Sequence, residues 1–305
     1  MRSCLGFCQA GADRTETRIK LTPLYGVNLI RVASRRAALC APPAAKPHDY
    51  RPSMWLTLSY LQPWQRFCMN TRADPRFFFI HIMKTAGTTF SWQVLANFDE
   101  EEVYPSKLDA DMELSKFRID LLTALPPERR RRIRVYLGHF PFVAHRLLAM
   151  ELVTLTILRD PIERTISFLK QHRHFSGLAL EEIYETPELF PSLIHNHQAK
   201  IFAMTRETLS PFGIYESLEI DERQLNIAKE NLEQVDIVGF QERFPEFLQA
   251  IAERYGWRRA AIPDLNVSVE PEGSGISRSF RQRIAEDNAA DLDFYEHARR
   301  MWRRN

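Results

Sequence analysis

Cysteine is missing from most of the chain: all four, Cys4, Cys8, Cys40 and Cys68, lie before residue 70. No disulfide framework or cysteine zinc site can therefore hold the remainder together, which favours a reducing compartment. Long apolar runs are missing too. Stretches such as 152–158 fall far short of the ~20 residues that a membrane helix needs. Near the N-terminus Asp13, Arg14 and Glu16 interrupt any apolar h-region, so no standard secretory signal is expected and the expected location is cytoplasmic. Net charge is almost absent as well. The 41 basic and 39 acidic residues leave +2, and no overall field selects nucleic acid or a membrane surface as partner. What remains, 305 residues with 45% hydrophobic and 26% charged side chains, is an ordinary globular composition with room for one large domain or two small ones.

Periodicity divides the chain. Residues 1 to about 50 sustain neither a period of 2 nor one of 3.6, and "CAPPAAKPHDYRP" (40–52) is rich in proline and alanine. Residues 1–75 are read as an extension that is either disordered or precedes the true start, with Met54 and Met69 as alternative starts. Residues 76–305 are read as the folded domain.

Within it, strand and helix signals alternate. "RFFFIHI" (76–82), "RIRVYLG" (132–138), "ELVTLTILR" (151–159) and "VDIVGF" (235–240) read as strands. "TTFSWQVLANF" (88–98), "DPIERTISFLKQHRHF" (160–175) and "QERFPEFLQAIAERYG" (241–256) read as helices, the second opened by Asp160 as N-cap and Pro161 at the first helical position. Helical segments with polar faces are expected between the third and fourth strands. The alternation predicts an α/β fold, a parallel sheet with helices on both faces.

In such a sheet, ligands bind beyond the carboxyl ends of the strands, where loops turn into helix N-termini. "FFFIHIMKTAGTTF" (77–90) makes that turn. Gly87 permits close backbone approach, the amides of Thr88 and Thr89 open a helix, and Lys84 adds a cation, which together form an anion cradle. The order is not that of a nucleotide P-loop, whose glycine immediately precedes its lysine; here Lys84 stands three residues before Gly87.

Lys-Thr-x-Gly-Thr-Thr after Phe-Ile-His-Ile resembles instead the phosphosulfate loop of sulfotransferases, most closely the carbohydrate branch that includes the heparan sulfate 2-O- and 6-O-sulfotransferases and their bacterial relatives. "TILRDPIERTISFLKQH" (156–172) is similar to the family's 3′-phosphate motif. Further similar segments follow in order: "YLGHFPF" (136–142), "HNHQAKIF" (195–202), "DIVGFQERF" (236–244), "LNVS" (265–268) and "NAADLDFYEHARRMW" (288–302). Met83 stands where the family usually has proline, and Ala86 where many members have glycine.

The resemblance implies a P-loop-NTPase-like fold and transfer of a sulfuryl group from 3′-phosphoadenosine-5′-phosphosulfate (PAPS) to a hydroxyl of a carbohydrate-containing acceptor, with no metal. Lys84 would neutralise charge on the leaving oxygen, and Thr85, Gly87, Thr88 and Thr89 would hold the 5′-phosphate. Arg159 and Ser167 would hold the 3′-phosphate, His139 would be the general base, and Gln198 and Lys200 would contact the acceptor. Arg164 shares a helix face with Ser167 and either assists or lies on the surface. His81 is expected in the core. The spacing of His172 and His174, and of His195 and His197, puts each pair on different helix faces and argues against a metal site. The four consecutive arginines of "ERRRRIR" (128–134) are either a solvated face or an attractor for an anionic acceptor. The competing readings are a P-loop small-molecule kinase, which needs a carboxylate at a strand end to help hold Mg²⁺, and a catalytically inactive nucleotide-binding module.

Overall fold

The computed structural model describes residues 75–261 and 276–303. Residues 1–74 of the extension assigned to 1–75, and the "LNVS" segment, lie outside the described residues. Five strands form one all-parallel sheet: β1 (Phe77–Ile80), β2 (Val103–Tyr104), β3 (Val135–Tyr136), β4 (Val153–Leu158) and β5 (Ile237–Phe240), in the order β2-β3-β1-β4-β5. The expected parallel α/β architecture is present. The two-residue edge strand β2, embedded in an acidic and proline-bounded stretch, had no periodic signal.

The first strand is central. Phe77 lies opposite both Val135 and Val153, so β1 is covered on both edges and both faces. That is why it reads as a continuous apolar run rather than an alternating one. Its side chains still alternate between two cores. Phe77 and Phe79 pack with Phe90 and Val94 of helix α1 (Gly87–Leu95), and Phe78 and Ile80 join the other core. Phe77, Phe78 and Phe79 are at most 1% exposed, and each such burial contributes about 1.5–3 kcal/mol.

The four arginines do not extend β3. They form helix α2 (Pro127–Arg132), and only Val135 and Tyr136 enter the ladder. Helix α3 (Pro161–Ser176) begins as its sequence predicts, with Asp160 Oδ1 accepting from the amides of Ile162 and Glu163 at 3.0 Å each. It ends at Gly177, whose φ of 73° terminates the helix in the left-handed region.

Between β4 and β5 the expectation of polar-faced helices fails at α4 (His197–Ala203), where all seven residues are buried. Gln198 and Lys200 find their partners inside the protein, so periodicity alone could not reveal the position of the helix. Helix α5 (Glu222–Leu232) packs beside it; α6 (Phe244–Tyr255) contributes Phe247, Leu248 and Ile251 to the α1 face. Two last helices, α7 (Arg278–Asp287) and α8 (Ala289–Trp302), contribute Phe280, Ile284, Phe294 and Tyr295 to the opposite core.

Candidate functional site

Three neighbouring strands, β3, β1 and β4, end on the same edge of the sheet, and beyond them come His139, Lys84 and Arg159 in turn. The loop after β1 is tight. Lys84 and Ala86 both adopt φ of 71°, a left-handed conformation that costs an L-residue about 1–2 kcal/mol and that glycine adopts freely. Thr85 is fully buried and its hydroxyl donates to the Ile82 carbonyl at 2.9 Å, which leaves only its backbone to face a ligand. Ala86 precedes α1 without capping it by a side chain, and the first helical bond runs from Phe90 N to Ala86 O at 3.0 Å. The amides of Gly87, Thr88 and Thr89 therefore have no acceptor within the helix, the usual state of a helix N-terminus and the basis of anion binding there. Thr88 is exposed and Thr89 half-buried.

Gly87 is needed for a reason the sequence did not disclose. A Cβ here would stand 1.7 Å from Nε2 of His81, so the glycine makes room for an imidazole of the protein itself.

Cations converge on this loop from α3 and its approach. Arg159 Nη1 donates to the Lys84 carbonyl at 3.2 Å. Arg164 is fully buried, donating from Nε to Met83 O at 3.1 Å and from Nη1 to Leu193 O at 2.6 Å. Of its two anticipated roles, burial rules out the surface one: Arg164 braces the loop from beneath. Burial, followed by repulsion from Arg159 and Arg164, lowers the Lys84 ammonium to about 8. His172 feels burial and the same Lys84 and Arg164 charges, which lower its proton affinity. Ser167 is half-buried on α3, one turn beyond Arg164. The arrangement is a concentrated positive field beside free helix amides, suited to a polyanion.

No family model and no curated protein matches the chain. The geometry of the strand ends is thus what any assignment must rest on.

His139 projects from the end of β3. Its Nδ1 lies 3.0 Å from the His81 carbonyl, which can only accept, so Nδ1 carries the proton and Nε2 keeps the lone pair. The ring stacks on His81 at 3.8 Å between centroids and lies nearly parallel to Phe117 at 5.1 Å. His81 in turn places its Nδ1 3.3 Å from the Leu137 carbonyl. It is half-buried beside His139 rather than lost in the core. Burial lowers His139 to about 4; Lys116 pushes in the same direction and the His81 carbonyl opposes them. The imidazole is therefore neutral near pH 7, with the lone pair on Nε2 and a reduced affinity for a proton.

Two anticipated acceptor contacts have other tasks. Gln198 is fully buried and holds the backbone of Arg159 on both sides, Oε1 accepting from its N–H at 3.1 Å and Nε2 donating to its carbonyl at 2.8 Å. Lys200 is also fully buried. Its ammonium donates to the carbonyls of Ser192, Ile214 (2.7 Å) and Glu216 (2.8 Å), which uses all three N–H groups. Burial brings it down to about 7. Neither side chain reaches the surface.

The arginine run is likewise misplaced for acceptor attraction. Helix α2 leads into β3 and so lies at the amino end of the sheet, opposite His139. No cluster of three or more His, Cys, Asp or Glu side chains that could hold a metal occurs among the described residues.

Sequence reasoning missed Asn288 and Asp291, both buried. A signal was present. Asp291 shares its helical stripe with Phe294, Tyr295 and Ala298, all buried, and a carboxylate at i of an i, i+3, i+4, i+7 apolar stripe requires internal donors. Arg164, in register with Pro161, Thr165 and Phe168, follows the same pattern.

Proposed function

We propose that the protein is a PAPS-dependent sulfotransferase of P-loop-NTPase-like fold that modifies a hydroxyl of a carbohydrate-containing acceptor. The observation that carries this reading is the convergence of Lys84, Arg159 and His139 at the carboxyl ends of three adjacent parallel strands, around a loop that opens helix α1.

PAPS supplies a sulfuryl group activated by its bond to phosphate. The free amides of Gly87, Thr88 and Thr89 and the positive end of α1 hold the 5′-phosphate, with the Thr85 amide beside them. Arg159 holds the 3′-phosphate through its planar fork, and the Ser167 hydroxyl is the second donor. An anion in this field offsets the burial and the repulsion that together lower Lys84, so the ammonium is held charged when needed. In the transfer the acceptor oxygen forms a new bond to sulfur, the sulfur–phosphate oxygen bond breaks, and its electron pair stays on the phosphate. Lys84 counters that charge. The acceptor's proton passes to Nε2 of His139, the ring held in position by its Nδ1–H bond to His81 O and by stacking on His81 and Phe117.

The kinase reading is weakened by Asp160, the carboxylate nearest the strand end of β4, because its Oδ1 accepts from two amides of α3. Thermal shift decides between them. The product 3′-phosphoadenosine-5′-phosphate (PAP) should stabilise the protein without metal, whereas ATP with Mg²⁺ should do little, since a ligand binding only the native state raises its stability. A shift with ATP and none with PAP contradicts the proposal. A shift with PAP but no transfer from labelled PAPS to any of a panel of hydroxylated glycans supports an inactive binding module instead.

A further inference from the structure

The segment before α4 and the start of α8 are joined by a chain of buried hydrogen bonds that ends on Arg159. Asn288 Oδ1 accepts from Asn196 N at 2.8 Å, and Asn196 Oδ1 accepts from Asp291 N at 3.0 Å. The Asp291 carboxylate receives the amides of Gln198 at 3.0 Å and Ala199 at 2.7 Å. Gln198 then grips both backbone polar groups of Arg159. Asn196 takes φ of 45°, a left-handed value that asparagine tolerates better than most residues, and this turns the chain into α4 so that two successive amides meet one carboxylate.

All of these side chains are buried: Gln198 and Asn288 are 0% exposed, Asp291 1% and Asn196 5%. Burying four polar side chains is unfavourable unless each is satisfied, and these satisfy one another and the backbone. The bracket lies at one strategic point. β4 pairs with β5 only as far as Leu158, opposite Phe240, so the next residue has left the ladder. Gln198 stands in for a neighbouring strand there, fixing the Arg159 backbone where it would otherwise be a loop.

Resting on the sulfotransferase reading above, we infer that Gln198, held by Asn288 and Asp291, is a positioning residue for Arg159 and thereby sets the protein's preference for a nucleotide bearing a 3′-phosphate. A guanidinium forms two parallel hydrogen bonds to a phosphate only within a narrow geometry, so a strand end that moves loses the second bond. Gln198 touches no ligand itself. Its effect appears only on the group that Arg159 holds.

The test compares affinities for PAP and for AMP, which lacks the 3′-phosphate, in the full-length protein. In wild type PAP should bind more tightly than AMP. Gln198→Met, which keeps the length and removes both grips, should cut that preference about tenfold, chiefly through weaker PAP binding and with AMP nearly unchanged. Gln198→Glu retains an acceptor for the Arg159 amide and should lose less, which gives a decisive measurement if the Met variant fails to fold. Ile251→Ala, in the core on the opposite face of the sheet, serves as a destabilised control and should keep the full preference. A wild-type preference for PAP that survives unchanged in the Gln198 variants overturns the inference alone. Indifference of the wild type to the 3′-phosphate overturns the sulfotransferase reading and the inference with it.

Discussion

The two ends of the sheet are both rich in cations, and the bonds that orient them differ in kind. At the amino end, arginine meets carboxylate: Arg129 binds Asp109 at 2.9 Å, Arg131 binds Glu128 at 3.1 Å, Arg132 lies 3.5 Å from Glu101 and Arg134 lies 3.7 Å from Glu102. At the carboxyl end, backbone carbonyls of Lys84, Met83 and Leu193 accept from Arg159 and Arg164. Those carbonyls fix the direction of each guanidinium, and burial, followed by the charges of Arg159 and Arg164, lowers the proton affinity of Lys84. The lesson concerns where charge becomes function. A run of four arginines is conspicuous in sequence, yet Arg129, Arg131 and Arg132 meet carboxylates in the fold, whereas Lys84, Arg159 and Arg164 come together only because two strand ends lie side by side.

If the carboxyl end is the reactive one, the largest effect belongs to His139. His139→Ala should reduce turnover by about 10²- to 10⁴-fold at saturating PAPS while PAP affinity holds, because general base catalysis contributes that much and the ring is not a phosphate ligand. Steady-state transfer of label, with an acceptor found by glycan screening, measures it; unchanged turnover removes His139 from the mechanism.

The amino end should respond in stability alone. Arg129 donates to Asp109, to the carbonyls of Glu101 and Val103 and to Ser106, and its side chain is only 13% exposed. Arg129→Ala should cost about 3–5 kcal/mol by denaturant unfolding, the usual effect of breaking a buried ion pair, with PAP affinity of the folded fraction intact. Arg131 and Glu128 are 69% and 73% exposed, and Arg131→Ala should change stability by no more than about 0.5 kcal/mol. Weakened PAP binding in either variant breaks the division between the two ends.

Much of this could be read in advance where local chemistry and apolar pattern agree. β1, its loop, α1 and the Asp160 cap of α3 were legible because an apolar run, a lysine, a glycine and an N-cap each act within a few residues. β2 was not, since two residues carry no period and its strand state depends on pairing with Val135 and Tyr136. Gln198 and Lys200 misled for a different reason. A polar side chain in a helix looks ready for a ligand until its partners are known, and theirs lie at Arg159, Ser192, Ile214 and Glu216, 8 to 39 positions away. The stacking of His81 and His139, beside which glycine is needed at 87, joins residues beyond the ends of separate strands and has no local signature.

The central claim is that the cations at the carboxyl end hold a nucleotide's phosphates. Calorimetric titration of PAP, without metal, into wild type, Arg159→Ala and Arg131→Ala tests it most directly. Wild type and Arg131→Ala should bind alike, and Arg159→Ala should lose about 1.5–3 kcal/mol, the contribution of a hydrogen bond to a charged group. Equal affinity in all three proteins, or no binding to wild type, would contradict the account.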